Sequence, residues 1–448
     1  MFSVNREAAL ALSMLEERGY EAYIIGGCVR DYLMGREPGD IDITTSAEPE
    51  EIKEVFKAFK VIETGIKHGT VTVIINEEPL EITTYRIDCG YSDGRHPDKV
   101  SFTKSLREDA ARRDFTMNAI AADADGDIVD YFGGAVDIQN RIIRAVGDPE
   151  VRFGEDALRI LRAIRFSSVL GFEIEEETRS AAFKCRGLLK NISSERIASD
   201  LIKLLCGENA GKVIRENIEV LGVFIPELLP MKGLGQKNPY HNLDLLSHTC
   251  VVVDSIENNP VLRLAALFHD IGKPEAFTID DKNIGHFYGH EVISSQIAED
   301  ILRRLKLDKQ TSDMVVKLIR YHTMRVEEDE RSVRRSLGKL SPEVFFQLMK
   351  LKRADSRGQS PEFYNKSIEH CNKIEEIAVN IIEKGECFSK NTLEINGGDL
   401  LSFGMKQGRE IGSLLDELLG MVIDGQLENN KQVLEQYAKH SISKKNKD

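Results

Sequence analysis

The sequence predicts an α+β protein: a head built on a mixed β-sheet, followed by an all-helical remainder. Three observations carry that reading. Short alternating or β-branched runs, "EAYII", "DIDIT", "HGTVTVIIN" and "PLEITTYRI", crowd into residues 1–145 with helical periods before and between them. Beyond about residue 150 only long amphipathic helical periods remain. The helical part is interrupted where Pro, Gly and polar residues gather, at "VGDPEVRF", "FIPELLPMKGLGQKNPYHN" and "SRGQSPEFYN".

Taken in order, "REAALALSMLEERGY" has helical spacing and stops at Gly19. "EAYII" is a strand ended by Gly26 and Gly27, and "CVRDYLMG" opens the next helix. "DIDIT" is a strand, "PEEIKEVFKAF" a helix beginning at Pro49, and two further strands follow. One mixed sheet covered on one side is expected. Four segments result: a head (1–145), a helical neck (146–235), a third domain (236–360) and a helical tail (361–448). No repeat of fixed period and no low-complexity tract is visible.

Composition narrows the class. The 448 residues carry a net charge of −14, with 41% hydrophobic and 30% charged residues. A globular chain of this charge is not a non-specific nucleic-acid coat. Local basic clusters persist in "RILRAIRF", "RSVRRSLGK" and "SKKNKD", the last two equally readable as solvated surface. Met1 to Glu17 mixes charges with short apolar runs, so no secretory leader is expected, and no apolar run approaches the roughly 18 residues of a membrane span. The 7 cysteines form no C-x-x-C pair, which fits reduced thiols and a cytoplasmic location.

The chemistry begins at "IIGGCVRDYLMGREPGDIDIT". Residues i and i+2 of a strand share a face, so Asp40 and Asp42 would sit about 6.5–7 Å apart along one face. Such a pair suits Mg²⁺, which takes carboxylate and phosphate oxygens. Two ions can activate an attacking hydroxyl and stabilise leaving pyrophosphate. Gly26 and Gly27 let backbone N–H groups approach a phosphate at a helix start, and Arg30 in the first turn can reach the same group.

The segment "GGCVRDYLMGREPGDIDI" resembles the signature of polymerase-β-type nucleotidyltransferases, in particular class II CCA-adding enzymes and bacterial poly(A) polymerases. "SDGRHPDKVSF", "RRDFTMNAIA" and "EDALRILRAIRF" continue the resemblance over residues 20–170. It implies a polymerase-β-like head in which Asp40 and Asp42 bind Mg²⁺, while Gly27 and Arg30 bind nucleotide phosphates. It further implies that Arg113 contacts the nucleotide with Asp114 near the ribose. Glu81 is a weaker candidate for a third carboxylate.

"EDALRILRAIRF" reads as one helix whose apolar stripe is Ala157, Leu158, Leu161 and Ile164. Asp156 and Arg159 would be neighbours on its polar side, with Arg162 and Arg165 continuing the row. Cytosine and adenine both carry an exocyclic amine beside a ring-nitrogen acceptor; guanine and uracil carry a carbonyl and a protonated nitrogen there. A carboxylate–guanidinium pair can therefore accept C and A and reject G and U. In the resembled family this helix does that work. The resemblance assigns Asp156 and Arg159 to the base, and Arg162 and Arg165 to base or phosphate.

In the helical half, His248, His269–Asp270, His290, His322 and Asp355 follow the order H…HD…H…H…D. This resembles the HD metal-dependent phosphohydrolase domain. Imidazole suits transition metals and a carboxylate can bridge a metal pair. The resemblance implies a second divalent-metal site and hydrolysis of phosphomonoesters or 2′,3′-cyclic phosphodiesters. His286 does not fit the pattern.

The leading expectation is an enzyme that adds CCA to tRNA from CTP and ATP, with neither a membrane nor a fixed oligomeric state implied. Its nearest rivals are a poly(A) polymerase and an A-adding or CC-adding relative. "YSDGRHPDKVSF" resembles a loop of full CCA-adding and A-adding enzymes and tilts the reading away from CC-only addition. From other classes come an HD phosphohydrolase with an inert head and a non-catalytic tRNA-binding protein.

Overall fold

The computed structural model describes residues 5–89, 99–237 and 242–445. The loop residues 91–98 singled out above, and the end of the "SKKNKD" run, lie outside them. The chain forms two compact units: residues 1–229 with 304–306, and residues 230–303 with 307–448.

The first unit holds a seven-stranded mixed sheet. Its strands are β1 (Ala22–Ile25), β2 (Asp42–Thr45), β3 (Lys60–Ile62), β4 (Thr70–Ile75), β5 (Glu78–Thr84), β8 (Ile120–Ala122) and β9 (Ile128–Asp130), in the order β3-β4-β5-β2-β1-β8-β9. Between them in sequence, β6 (Arg86–Cys89) and β7 (Lys99–Phe102) make a separate antiparallel ribbon. Only β2 and β5 run parallel within the large sheet.

The alternation along these strands decides which face does what. Ile43, Ile82, Val71 and Val73 lie in register on one face and are fully or almost fully buried. Helices α1 (Arg6–Glu16) and α3 (Pro49–Val55) pack against this sheet. Burying each such aliphatic side chain is worth about 2 kcal/mol. The opposite face carries Asp42, Thr44, Glu81, Thr83, Thr70 and Thr72, in register with one another. A two-residue turn, Asn76–Glu77, joins β4 to β5; both residues have positive φ (49° and 71°), as a type I′ hairpin requires.

Helices α2 (Gly27–Leu33), α4 (Leu106–Ala111) and α5 (Gly134–Asn140) complete the head. The neck that follows is helical: α6 (Pro149–Glu155), α7 (Leu158–Leu170), α8 (Glu176–Cys185), α9 (Ser194–Leu205), α10 (Ala210–Glu216) and α11 (Ile218–Leu221). A short parallel bridge pairs β10 (Ile142–Ile143), at the end of the head, with β11 (Glu173–Ile174) in the neck.

The second unit consists of α12 (Leu245–Ser255), α13 (Pro260–Phe268), α14 (Lys273–Ala276), α15 (His290–Arg304), α16 (Lys309–Tyr321), α17 (Glu330–Leu340), α18 (Pro342–Arg357) and α19 (Pro361–Glu383), then α20 (Gly397–Ser402), α21 (Arg409–Ile423) and α22 (Lys431–Lys445). A small hairpin, β12 (Thr278–Ile279) with β13 (Gly285–His286), interrupts them. The last three helices share their own apolar cluster around Leu400, Leu414, Leu418, Leu434 and Ala438.

Two expectations need correction. "EDALRILRAIRF" is not one helix: α6 ends at Glu155, Asp156 is extended (φ −136°, ψ 103°), and α7 starts at Leu158. The Asp156 carboxylate accepts from the Leu158 N–H at 3.0 Å, so this residue caps the new helix instead of lying within one. Likewise β2 starts at Asp42, which leaves Asp40 exposed ahead of the strand and outside the alternation expected to align the two aspartates.

Candidate active site and metal centre

The head site is organised by a glycine. Gly26 caps α2 with φ +91°. A Cβ there would lie 3.0 Å from Arg113 Nη1 and 3.8 Å from Asp42 Oδ2, so the missing side chain leaves room for both groups beside the helix start. The sequence reading had assigned phosphate contact to Gly27, whose own missing Cβ lies 3.6 Å from Arg30 Nη2.

Asp42 is the register partner of Glu81 on the adjacent parallel strand. Burial pushes its carboxyl above the ordinary range; Arg113 opposes this, and the charges of Glu81 and Asp40 add to it. A hard divalent cation near these acids would relieve that repulsion. The weaker candidate, Glu81, is thus the one the sheet places beside Asp42.

Arg113 is half-buried, its Nε has no hydrogen-bond partner, and desolvation lowers its pKa. It lies 3.8 Å from Asp109, which is completely buried and also accepts from Arg112 (2.9 Å) and the Thr44 hydroxyl (3.2 Å). Sequence reasoning missed Asp109. The signal was an acid three and four residues before two arginines in "EDAARR".

A second network runs from α2 to α7. Arg30 donates to Asp31 through Nε (2.9 Å) and to the Asn118 Oδ1 through Nη1 (2.8 Å). The Asn118 amide donates to Asp114 at 2.9 Å, and Asp114 accepts from Arg162 Nε at 2.8 Å. Burial alone would raise the Asp114 carboxyl, but Arg162 and Asn118 outweigh it and hold it at about 2. The Phe166 ring sits beneath three guanidinium groups, those of Arg30, Arg162 and Arg165, at 5.2, 5.5 and 4.3 Å. Asn118 and Phe166 lay in the quoted motifs without an assigned role.

The base-reading pair is arranged differently from expectation. Among the described contacts the side chains of Asp156 and Arg159 do not pair; the two residues touch through the Arg159 N–H, which donates to the Asp156 carbonyl at 3.0 Å. Asp156 is held by Arg196 on α9 at 2.9 Å. Arg159 is held by Glu155 at 2.7 Å and by the carbonyls of Arg112 and Arg152. Arg165 is bound to Asp200 at 2.5 Å. The row expected on a polar helix face is buried or half-buried, each member with its own protein partner. The apolar stripe of Ala157, Leu158, Leu161 and Ile164 is buried as expected.

In the second unit the six predicted metal-ligating residues converge from five helices or their ends. His248 Nε2 lies 3.0 Å from Asp355 Oδ1 and 3.4 Å from both His269 Nε2 and Asp270 Oδ2. On the other side of Asp270, Oδ1 lies 3.3 Å from His290 Nε2 and 3.6 Å from His322 Nε2, which are themselves 3.2 Å apart. Asp270 therefore joins two ligand sets, one through each carboxylate oxygen.

The tautomers follow from the second shell. Each Nδ1 faces a backbone carbonyl, of Gly358, Ala266, Phe287 and Ile319 in turn, at 2.7–3.0 Å. A carbonyl only accepts, so Nδ1 carries the hydrogen and Nε2 offers its lone pair inward. Paired inward lone pairs need a cation between them. The donor set fits a pair of divalent transition-metal ions. Until a metal ion takes the Nε2 position, burial lowers the His269 pKa but Asp270 and Asp355 outweigh it and push it up to about 10, so that a proton holds that position. Lys273, missed in the sequence reading, places Nζ 2.8 Å from Asp270 Oδ2. His286 stands apart on Asp280 at 3.0 Å.

Acidic side chains at a strand end, a glycine-opened helix and a half-buried arginine beside a mixed sheet are the features of a nucleotidyltransferase head. The Poly A polymerase head domain model matches residues 22–144, the model for the RNA and SrmB-binding site of polymerase A matches 171–229, and tRNA nucleotidyltransferase domain 2 matches 290–438. The CCA-adding enzyme of Lactobacillus helveticus is 37% identical over 96% of both chains, and that of Enterococcus faecalis 34% identical over 98% of this chain and 97% of the relative. The crystal structure of the Bacillus stearothermophilus CCA-adding enzyme with CTP superposes with a TM-score of 0.73 at 30% identity, covering 99% of this chain and 98% of that one. The chain belongs to the CCA-adding enzyme family. Among the described residues no helix is long and apolar enough to cross a membrane.

Proposed function

We propose that this chain completes the 3′ end of tRNA with C, C and A, taking CTP and ATP and releasing pyrophosphate. The observation that carries the reading is the placement of Asp42 and Arg113 around Gly26, with Glu81 in register beside Asp42. Asp40, Asp42 and Glu81 would hold Mg²⁺. Bound there, it lowers the cost of the attacking 3′-oxyanion and of the charge on the leaving pyrophosphate. Arg113 faces the same point and supplies a fixed positive charge to the triphosphate. Gly27 and Arg30 shape the helix start at which phosphates bind.

For base choice, Asp156 offers an acceptor and Arg159 a donor, each fixed by its own partner, so little side-chain ordering remains to be done when a base arrives. Arg162 and Arg165, stacked with Phe166, complete the wall. The site of action is the cytosol, where tRNA is matured. The six described cysteines, all free, suit it.

The test uses tRNA transcripts ending at the discriminator base, at C and at CC, incubated with Mg²⁺ and CTP, ATP or both, with the 3′ ends sequenced. All three should converge on CCA and stop. Long A tails would move the assignment to a poly(A) polymerase, and arrest at CC to a CC-adding relative.

A second reading is favoured by the convergence of the six histidines and aspartates. They would hold two divalent ions that activate a water against a phosphoester. Mn²⁺ titration by calorimetry tests it. Asp270→Asn, which touches both ligand sets, should remove both binding events of this centre, and unchanged Mn²⁺ binding would overturn it.

A further inference from the structure

Between α18, α19 and the segment that follows α16, the second unit encloses a cavity of about 200 Å³. Val326, Met349 and Ile374 form its buried apolar walls, with Met324 half-buried among them. Lys352 lines it half-buried, and Arg325 lines it from the solvent side. The described lining includes none of the six histidines and aspartates of the metal centre.

The charges in this wall do not balance. Lys350 and Arg353, close to Lys352 on α18, are each held by a carboxylate, Glu257 at 2.5 Å and Glu375 at 2.5 Å. Among the described residues the side chain of Lys352 has no such partner, and neither has that of Arg325. The nearby acids are committed elsewhere. Asp355, one turn on, is held by His248 at 3.0 Å. Glu328 is shared by His370 Nδ1 at 2.8 Å and Lys373 Nζ at 3.1 Å. Glu327 is exposed and pairs with neither cation. Burial pushes the Cys371 thiol up, so it stays protonated and supplies no negative charge. Desolvation lowers the Lys352 pKa, the response of an ammonium withdrawn from water without a counter-ion.

An anion entering the cavity would offset that cost. The apolar walls describe the rest of the ligand. A bare hydrated ion would leave them against its water shell, and an uncharged apolar molecule would leave Lys352 uncompensated. Small-molecule sites ordinarily measure about 300–1,000 Å³, so this cavity takes something smaller than a nucleotide. We propose that it is a binding site for a small organic anion, one carboxylate or phosphate group on an apolar body, with Lys352 as the counter-charge and Arg325 at the rim. It depends on neither the head chemistry nor the metal reading.

The test follows methionine methyl signals by NMR in the full chain labelled with methyl-¹³C methionine, in EDTA so that neither site holds a metal. Met324→Leu and Met349→Leu identify the two signals of the cavity. The probes are benzoate and benzyl alcohol, which share a ring and differ in charge. Benzoate should shift both signals in a saturable way, and benzyl alcohol should leave them in place. Lys352→Gln should weaken the benzoate response about 10- to 100-fold, the worth of a hydrogen bond to a charged group. Arg325→Gln, at an exposed position, should weaken it no more than about 5-fold. Equal shifts with both probes would make the cavity an apolar cleft and overturn the proposal, as would the absence of any benzoate shift at these two methionines. An unchanged response in folded Lys352→Gln would remove Lys352 as the counter-charge and overturn it too. The comparison of the two probes on the parent chain decides the matter even where a Lys352 variant fails to fold.

Discussion

Asp42 and Glu81 stand side by side on adjacent parallel strands, the first on β2 and the second on β5, with their carboxylates on the same polar face. The arrangement carries its own electrostatic cost, since burial and the two neighbouring acids all raise the Asp42 carboxyl. Groups held in such mutual repulsion inside a fold otherwise committed to burying its charges in pairs mark the place where a cation belongs.

Asp42→Ala should reduce nucleotide incorporation by on the order of a thousandfold, while tRNA affinity stays close to the parent's. Glu81→Gln should act through the metal. The Mg²⁺ concentration for half-maximal incorporation rises about tenfold and saturating Mg²⁺ restores much of the rate. A Glu81→Gln enzyme with the parent's Mg²⁺ dependence would remove Glu81 from the ligand set.

Arg196 holds Asp156, and Glu155 holds Arg159. Asp156→Ala should therefore raise UTP misincorporation relative to CTP by about 5- to 150-fold, the worth of one well-formed base contact. Arg196→Ala should move selection in the same direction by a smaller factor, and Arg196→Lys should restore part of it. Competition between CTP and UTP on a single transcript measures both.

Asp114 links stability to pH. Its folded pKa, about 2, lies below the ordinary aspartate value of about 3.9, so the contribution is present above pH ~4 and is lost as pH falls toward 2. The side chain is 9% exposed, and the shift corresponds to about 2 kcal/mol. Urea unfolding of the parent and of Asp114→Asn should show a stability gap that is widest near pH 6 and has lost roughly half of this contribution by pH 3.

Asn118 is the only described side chain that joins Arg30 to Asp114. Asn118→Ala leaves two buried charged groups each short of one partner, a cost of about 1–3 kcal/mol. The KM for CTP should rise as Arg30 loses its fixed orientation. Asn118→Asp would set a second carboxylate against Asp114 and should be worse than the alanine in both stability and KM.

The strand and helix pattern of the head was legible because period-two alternation was strong: "TVTVII" and "EITT" show it, and both strands formed. The convergence of His248, His269, Asp270, His290, His322 and Asp355 was legible because the order H…HD…H…H…D can be read along the chain. What stayed hidden depends on which partner each side chain finds. No spacing rule tells that Asp156 turns to Arg196, forty residues on, and not to Arg159. The break at Asp156 was invisible because "EDALRILRAIRF" keeps a helical period straight across it. Asn118 and Phe166 are neutral, and no charge or spacing in the sequence marks them. Glu81 has no local pattern around it; its partner lies 39 positions away and is found only when the sheet is closed.

The turn at Asn76–Glu77 touches none of the chemistry, yet it fixes the register of β4 against β5, the strand that carries Glu81 beside Asp42. Side chains on a strand alternate, so a slip of one position between the two would set the polar face of one strand against the apolar layer of the other. The hairpin's two left-handed residues are the ratchet that prevents this slip. Inserting or deleting one residue there would disarm the enzyme and spoil its core in a single stroke. The tip of a surface loop is ordinarily the most forgiving place in a protein to change length; here it is bound to the sheet's catalytic edge as a key is bound to its lock.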